Sequence, residues 1–253
     1  MIVAFRKFFC LGILLTICNS LVCGQDTENG TKWNKKVVFI TEDVFDQLPD
    51  TFFYLKPVYQ NYYQTKEHLS IKYSVKETSK LTFRNNLSNG TYHVCLHKPT
   101  TDTILAKNIL ENPGVIQIVK RDTNDYVGLI EEMIHVPFAM PPRLLYQGHQ
   151  TDLRLAVDCA ELAIYGKRRQ GFNIPYCGPK KIVDYLNETY SIKRGTVINF
   201  GFQISVVYED KGIIGKLDSQ DLLIHAYKDK VEIISFENTD LFGRIYKMYE
   251  WKK

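Results

Sequence analysis

The stretch Val157-Asp158-Cys159-Ala160-Glu161-Leu162-Ala163-Ile164-Tyr165-Gly166 decides how the second half of the chain is read. Leu162, Ala163 and Gly166 recur at the three-to-four-residue spacing of a buried helical stripe, and Asp158 has the side chain of an N-cap. A helix is therefore predicted to begin at or next to Cys159. A thiol at that place feels the positive end of the helix macrodipole, which favours the thiolate and lowers its pKa. This is what a cysteine nucleophile needs. The ordinary alternative is a buried structural thiol, because free cysteine is among the most buried residue types.

Beyond that helix, Gly171, Pro175, Gly178 and Pro179 punctuate a loop. Lys180 to Tyr190 predicts a second short amphipathic helix, with Ile182, Tyr185 and Leu186 on one side. Lys193-Arg194-Gly195 is a turn. Strand patterns follow at 196–202, 203–210, 221–227, 230–236 and 245–251, with 211–220 as a loop. Helices come first and an antiparallel sheet follows, which predicts an α+β fold rather than βαβ alternation.

This order of elements, from Tyr146 to Lys253, resembles the NlpC-type cell-wall peptidases, which are compact papain-like cysteine hydrolases. Asp158-Cys159 matches the family's Asp-Cys, and Leu162 its buried helix position. Tyr146 stands about as far before Cys159 as the family's active-site tyrosine stands before its nucleophile. Gly195-Thr196-Val197-Ile198-Asn199-Phe200 takes the place of Gly-Asp-Leu-Val-x-Phe, and Ile224-His225-Ala226 matches the family's Ile-His-Ala strand. The resemblance implies thiol-dependent hydrolysis of peptidoglycan-type peptides. Cys159 would attack, His225 would be the base or orient it, Gln203 would polarise, and Tyr146 would support the oxyanion or line the groove.

One departure stands out. The family's general-base histidine opens a strand of the form H-V-G-I-Y, and here that piece begins at Gln203. An amide has no nitrogen that titrates near neutral pH, and losing general-acid help costs about a hundredfold or more. Three readings follow: His225 serves as base with Gln203 beside it, His149 completes the pair from ten residues before Cys159, or catalysis is lost and a peptide- or glycan-binding groove remains. Asp158 is read as a cap rather than a catalytic carboxylate. Lys167, Arg168, Arg169, Lys180 and Lys181 either hold acidic peptide stems or form a solvated basic face. A third class of explanation, a structural β-rich factor with a chance DCAEL, places Cys159 and His225 far apart.

The first 24 residues combine Arg6 and Lys7, an apolar run from Phe8 to Cys18 and a finish at Val22-Cys23-Gly24, the pattern of a secretory signal peptide. An uncleaved anchor is the alternative. The expected destination is secretion, the periplasm or the cell envelope, with no membrane span after signal removal. Taking away Arg6 and Lys7 lowers the formal charge from +4 to +2, so nucleic acid is not an expected partner. Cys95, Cys159 and Cys177 remain. An odd number leaves one thiol free or bonded to another molecule, and a Cys95–Cys177 bridge is one arrangement that fits. No cofactor is expected. Glu209, Asp210, Asp218 and Asp221 lack the spacing of a calcium loop, and no metal is expected.

Residues 33–125 are strand-rich. Leu69, Ile71, Tyr73 and Val75 alternate with polar neighbours, as do Leu81 and Phe83, and Tyr92, Val94 and Leu96. Short strands joined by turns predict a β-sandwich or barrel-like module. Phe52, Phe53, Tyr54, Tyr59, Tyr62 and Tyr63 are either core or a stacking platform. His68, His93 and His97 show no metal spacing and are expected to be surface or packing residues, and His135 is expected to be structural. Residues 126–142, with Pro137, Pro141 and Pro142, read as a connector, and 143–253 as the papain-like domain.

Overall fold

The computed structural model describes residues 37–39, 45–46, 48–59, 62–63, 71–112, 114–142, 144–145 and 148–253. The expected signal peptide, His68 and Tyr146 lie outside them. The protein is a mixed α+β structure, mostly antiparallel, built on two six-stranded sheets with few helices.

The first sheet contains β1 (Val37–Phe39), β2 (Thr51–Pro57), β3 (Lys72–Ser79), β4 (Gly90–Cys95), β5 (Thr103–Leu105) and β6 (Val115–Lys120), in the spatial order β1-β6-β4-β2-β3-β5. Every pairing is antiparallel except β1 with β6. These strands form one open sheet, not the sandwich or barrel predicted from their alternation. Alternation requires only that each face be covered, and other elements cover both. Phe52, Tyr92, Val94, Ile116 and Ile118 pack on one face with Phe45, Leu48 and Phe83. Leu55, Tyr73, Cys95 and Val115 pack on the other with Ile109, Leu153, Leu155 and Ala156. The aromatic residues Phe52, Tyr54, Phe83 and Tyr92 make edge and tilted contacts with one another inside that core.

Two short helices interrupt this half, α1 (Lys80–Asn85) and α2 (Ala106–Glu111). Leu81 and Phe83 were expected on a strand. Instead the Thr82 backbone N–H donates to the Ser79 hydroxyl at 3.1 Å, an N-cap that starts a helix and buries Phe83.

In the second half, α3 (Tyr126–Glu131) and α4 (Cys159–Arg169) precede the second sheet. The sheet holds β7 (Leu186–Thr189), β8 (Val197–Asn199), β9 (Ile204–Glu209), β10 (Leu222–Tyr227), β11 (Lys230–Ser235) and β12 (Lys247–Trp251), in the order β7-β12-β8-β9-β10-β11, all antiparallel. The helix predicted over 180–190 is one 3₁₀ turn, Ile182–Tyr185, followed by β7. Leu186 to Thr189 pair with β12, from Trp251 to Met248, a distant partner that a local period cannot reveal. Pairing satisfies this backbone better than a helix containing Asn187 and Thr189, both poor helix formers.

An 11-residue helix is marginal alone, so α4 depends on packing. Leu162 and Ala163 share a buried cluster with Ile204, Val206, Ile224 and Ala226 of β9 and β10. Full burial of a leucine contributes roughly 1.5–3 kcal/mol. The opposite face of the sheet carries Ile198, Val207, Leu223, Phe236 and Leu241. Gly166 lets α3 approach α4, since a β-carbon there would lie 2.7 Å from Ile130 Cγ1 and 2.8 Å from the Tyr126 ring.

The two sheets are joined by a buried carboxylate. Glu132 is fully buried and accepts from Arg154 Nη2 at 2.9 Å, from the Tyr165 hydroxyl at 2.6 Å and from Arg121. Arg154 also donates to Gln117 Oε1 of β6 at 3.2 Å, and Gln117 in turn lies 3.0 Å from the His93 ring of β4. His93 is therefore a packing residue inside this network.

Candidate functional site

The predicted helix start is present. Asp158 caps α4, its Oδ1 accepting from the Glu161 backbone N–H at 2.8 Å. Glu161 accepts from the Thr151 hydroxyl. Burial raises both carboxyls, Asp158 to about 6 and Glu161 well above the usual range, with Asp158's charge adding to the effect at Glu161.

Cys159 is 3 % exposed. Burial pushes its thiol up to about 12, and the adjacent Asp158 charge adds to the rise. The helix N-terminus works in the opposite direction but is outweighed. A terminal dipole contributes about 0.3–1 kcal/mol, less than one pKa unit, whereas full burial moves a group by up to about 3–5 units. Backbone hydrogen bonds from Ile204, Ala160 and Cys159 itself also lower the thiol, but by less than burial raises it.

His225 does not face Cys159. On β10, Ile224 and Ala226 lie in the cluster that contains Cys159, whereas Leu223 belongs to the cluster on the other side. Alternation along a strand puts His225 with Leu223. It is 2 % exposed, stands opposite Glu232 in the ladder, and neither ring nitrogen has a hydrogen-bond partner. The 3.9 Å from Nε2 to Glu232 Oε1 is too long for a hydrogen bond.

Gln203 also points elsewhere. It is buried, and its Nε2 donates to the Ala226 carbonyl at 2.9 Å, bridging the ends of β9 and β10. The strand residue clustered with the sulfur is Ile204, one position on, so hydrocarbon stands where a general base was expected. His149 accepts from the Thr151 backbone N–H at 3.3 Å, lies 3.7 Å from Glu161 Oε2, and stacks on Tyr176 with ring centroids 4.4 Å apart. It belongs to a polar cluster with Asp152 and Arg168, in which Tyr176 donates to Asp152 at 2.6 Å. Neither His149 nor His225 hydrogen-bonds the sulfur. The Cys95–Cys177 bridge is not formed.

No family model, curated protein or solved structure matches the chain.

Gln203 lines a groove of about 790 Å³. Its apolar lining comes from Phe138, Met140, Pro179, Phe202 and Tyr227, and its basic residues are Lys180, Lys181 and Lys228. Asn199 ties two walls together: its Nδ2 donates to the Pro179 carbonyl at 2.9 Å and its Oδ1 accepts from Gly201 N–H at 2.6 Å. Gly201 has φ +86°, a conformation that favours glycine. Phe202, next in the turn, is 51 % exposed, with the Arg244 guanidinium 5.3 Å from its ring. Lys228 is engaged by Asp240, and Lys180 and Lys181 are exposed. The other cations once grouped with them are used differently. Arg168 pairs with Asp152, Arg169 lies 3.5 Å from Glu132, and Lys167 sits 4.1 Å from the Phe172 ring centroid.

Gln203 and the lysine pair were singled out in the sequence. Phe138, Met140, Phe202 and Tyr227 were not, because they converge from separate segments with no shared spacing. Among the described residues no three His, Cys, Asp or Glu side chains are grouped to hold a metal, and no helix is long and apolar enough to cross a membrane. Asp210, Asp218 and Asp221 instead accept backbone N–H groups of their own loop.

Proposed function

We propose that the second half is a papain-like, NlpC-type domain that retains the groove of its class without the hydrolytic chemistry, and that the protein acts in the cell envelope or outside the cell as a binder of acidic peptides of the peptidoglycan-stem type. The observation that carries this reading is the placement of Cys159, buried against Ile204, while His225 lies on the far face of β10. A helix that begins at an Asp-Cys pair and packs on β9 and β10 supports the domain class. An apolar channel with two exposed lysines supports the ligand class, because a stem peptide joins small apolar side chains to carboxylates. The N-terminal half would then hold the protein on its polymer or partner.

The test is a titration of the full chain with L-Ala-γ-D-Glu-L-Lys-D-Ala, read by NMR shifts and by mass spectrometry of the peptide. Shifts at Phe202 and Tyr227, with the peptide intact after prolonged incubation, support binding without cleavage. Cleavage that disappears in Cys159→Ala overturns it.

A further inference from the structure

Away from the groove, a second cleft of about 510 Å³ lies where the two sheets meet, lined by residues that include Ser88, Asn89, Lys120, His135, Lys230 and Glu232. We propose that Ser88 and His135 form a serine–histidine dyad that accepts an acyl group from a small ester bound in this cleft. This reading is independent of the groove lined by Phe202 and Tyr227.

The geometry is that of a nucleophile and its base. Ser88 Oγ lies 2.8 Å from His135 Nε2, within the range a proton transfer requires. Ser88 is an exposed residue and His135 a half-buried one, and both line the cleft. The loop is pinned by Tyr92, whose hydroxyl donates to the Ser88 carbonyl at 3.0 Å and accepts from the Ser88 N–H at 3.1 Å. The same hydroxyl is 3.0 Å from Ser88 Oγ.

His135 is held in an uncommon backbone conformation, φ +72°, of the kind that concentrates at functional positions. Its carbonyl accepts from the Tyr59 hydroxyl at 3.0 Å. Gly90 makes space for the ring, since a β-carbon there would lie 3.0 Å from His135 Cδ2 and 2.5 Å from the Ile134 carbonyl oxygen. Burial, with the charges of Lys230 and Lys56, lowers the imidazole to about 4, so it is neutral and able to accept a proton across the physiological range. Lys120 and Lys230 also stand on the cleft walls, Lys120 donating to the Leu87 carbonyl at 3.1 Å and Lys230 lying 3.5 Å from Glu232.

The step balances as follows. Ser88 Oγ bonds to the carbonyl carbon while its proton passes to His135 Nε2. The ester C–O bond then breaks as that proton moves to the departing alcohol. Water, deprotonated by the same imidazole, releases the carboxylic acid and restores Ser88.

Two probes test this on the full chain: a fluorophosphonate, whose phosphorus bonds to Oγ as fluoride leaves, and p-nitrophenyl acetate. The expected result is a single adduct mapped to Ser88, absent in Ser88→Ala. In His135→Asn, which tolerates the positive φ, labelling and ester turnover fall by about a hundredfold, the low end for a general base. Circular dichroism establishes that each variant is folded. If His135→Asn does not fold, the wild-type pH profile decides. Labelling should be flat above about pH 5 and fall as His135 protonates near pH 4. Absence of a Ser88 adduct, an undiminished rate in folded His135→Asn, or a wild-type profile with no loss near pH 4 overturns the proposal.

Discussion

Cys159 and His225 occupy opposite sides of one sheet, the sulfur beneath α4 with Ile204 and Ala226, the imidazole on the reverse with Leu223. A strand shows successive residues to opposite faces, so moving His225 to the sulfur would require a one-residue slip of β10. That slip would also turn Ile224 and Ala226 out of the core. The six ladder pairs between β10 and β11 fix the register against it.

Thiol chemistry is the first expectation. In the native protein at pH 8, iodoacetamide should modify Cys177, which is half-buried, well before Cys159 or Cys95, both of which are buried. In denaturant all three should react. Peptide mapping after timed alkylation measures this, and rapid native modification of Cys159 would contradict the buried thiol described above.

The carboxyl pair at the start of α4 predicts a pH dependence. Glu161 is raised from an ordinary 4.5 to about 9 by burial and by Asp158. Between those values the unfolded chain gives up the proton while the native chain keeps it, so stability should fall as pH rises through that window. Urea midpoints measured from pH 5 to pH 9 should decline, and Glu161→Gln should flatten the decline. A wild-type midpoint that rises over this range would refute the assignment.

Gly166→Ala sets helix propensity against space. Alanine gains about 1 kcal/mol inside a helix, but the new carbon meets Ile130 and Tyr126 at under 3 Å. Overpacking of this kind costs typically about 1–3 kcal/mol. The net expectation is a lower melting temperature, read by calorimetry, with α3 shifted away from α4.

Glu132→Ala should be among the most damaging single changes. Removing one member of a buried ion pair costs about 3–5 kcal/mol because the other charge is left uncompensated, and Arg154 is buried beside it. Chemical denaturation of the variant measures the loss, and a change under about 1 kcal/mol would mean that water reaches this site.

How far the sequence carried the reading depends on the range of the forces involved. The α4 start was readable because its cap and stripe are local, Asp158 to Glu161 and Leu162 to Gly166. The strands that became β9, β10 and β11 were readable for the same reason. Residues 180–190 misled because β7 depends on β12, far along the chain. The thiol misled because the dipole is a property of the helix, whereas burial by Ile204 and its neighbours is a property of the whole fold. Ser88 and His135 come from different segments and carry no common spacing, so their 2.8 Å approach appears only in three dimensions.

The place of β12 has a consequence for assembly. It lies between β7 and β8, so two strands made earlier must wait, unzipped, for a third made later. While residues 247–251 are still inside the ribosome, β7 has no neighbour and β8 is bonded on one side only. Closure of this sheet is therefore a late and long-range event, of the kind that slows folding and leaves strand edges open to strangers. A chain cut before Lys247 should be prone to aggregation rather than merely less stable.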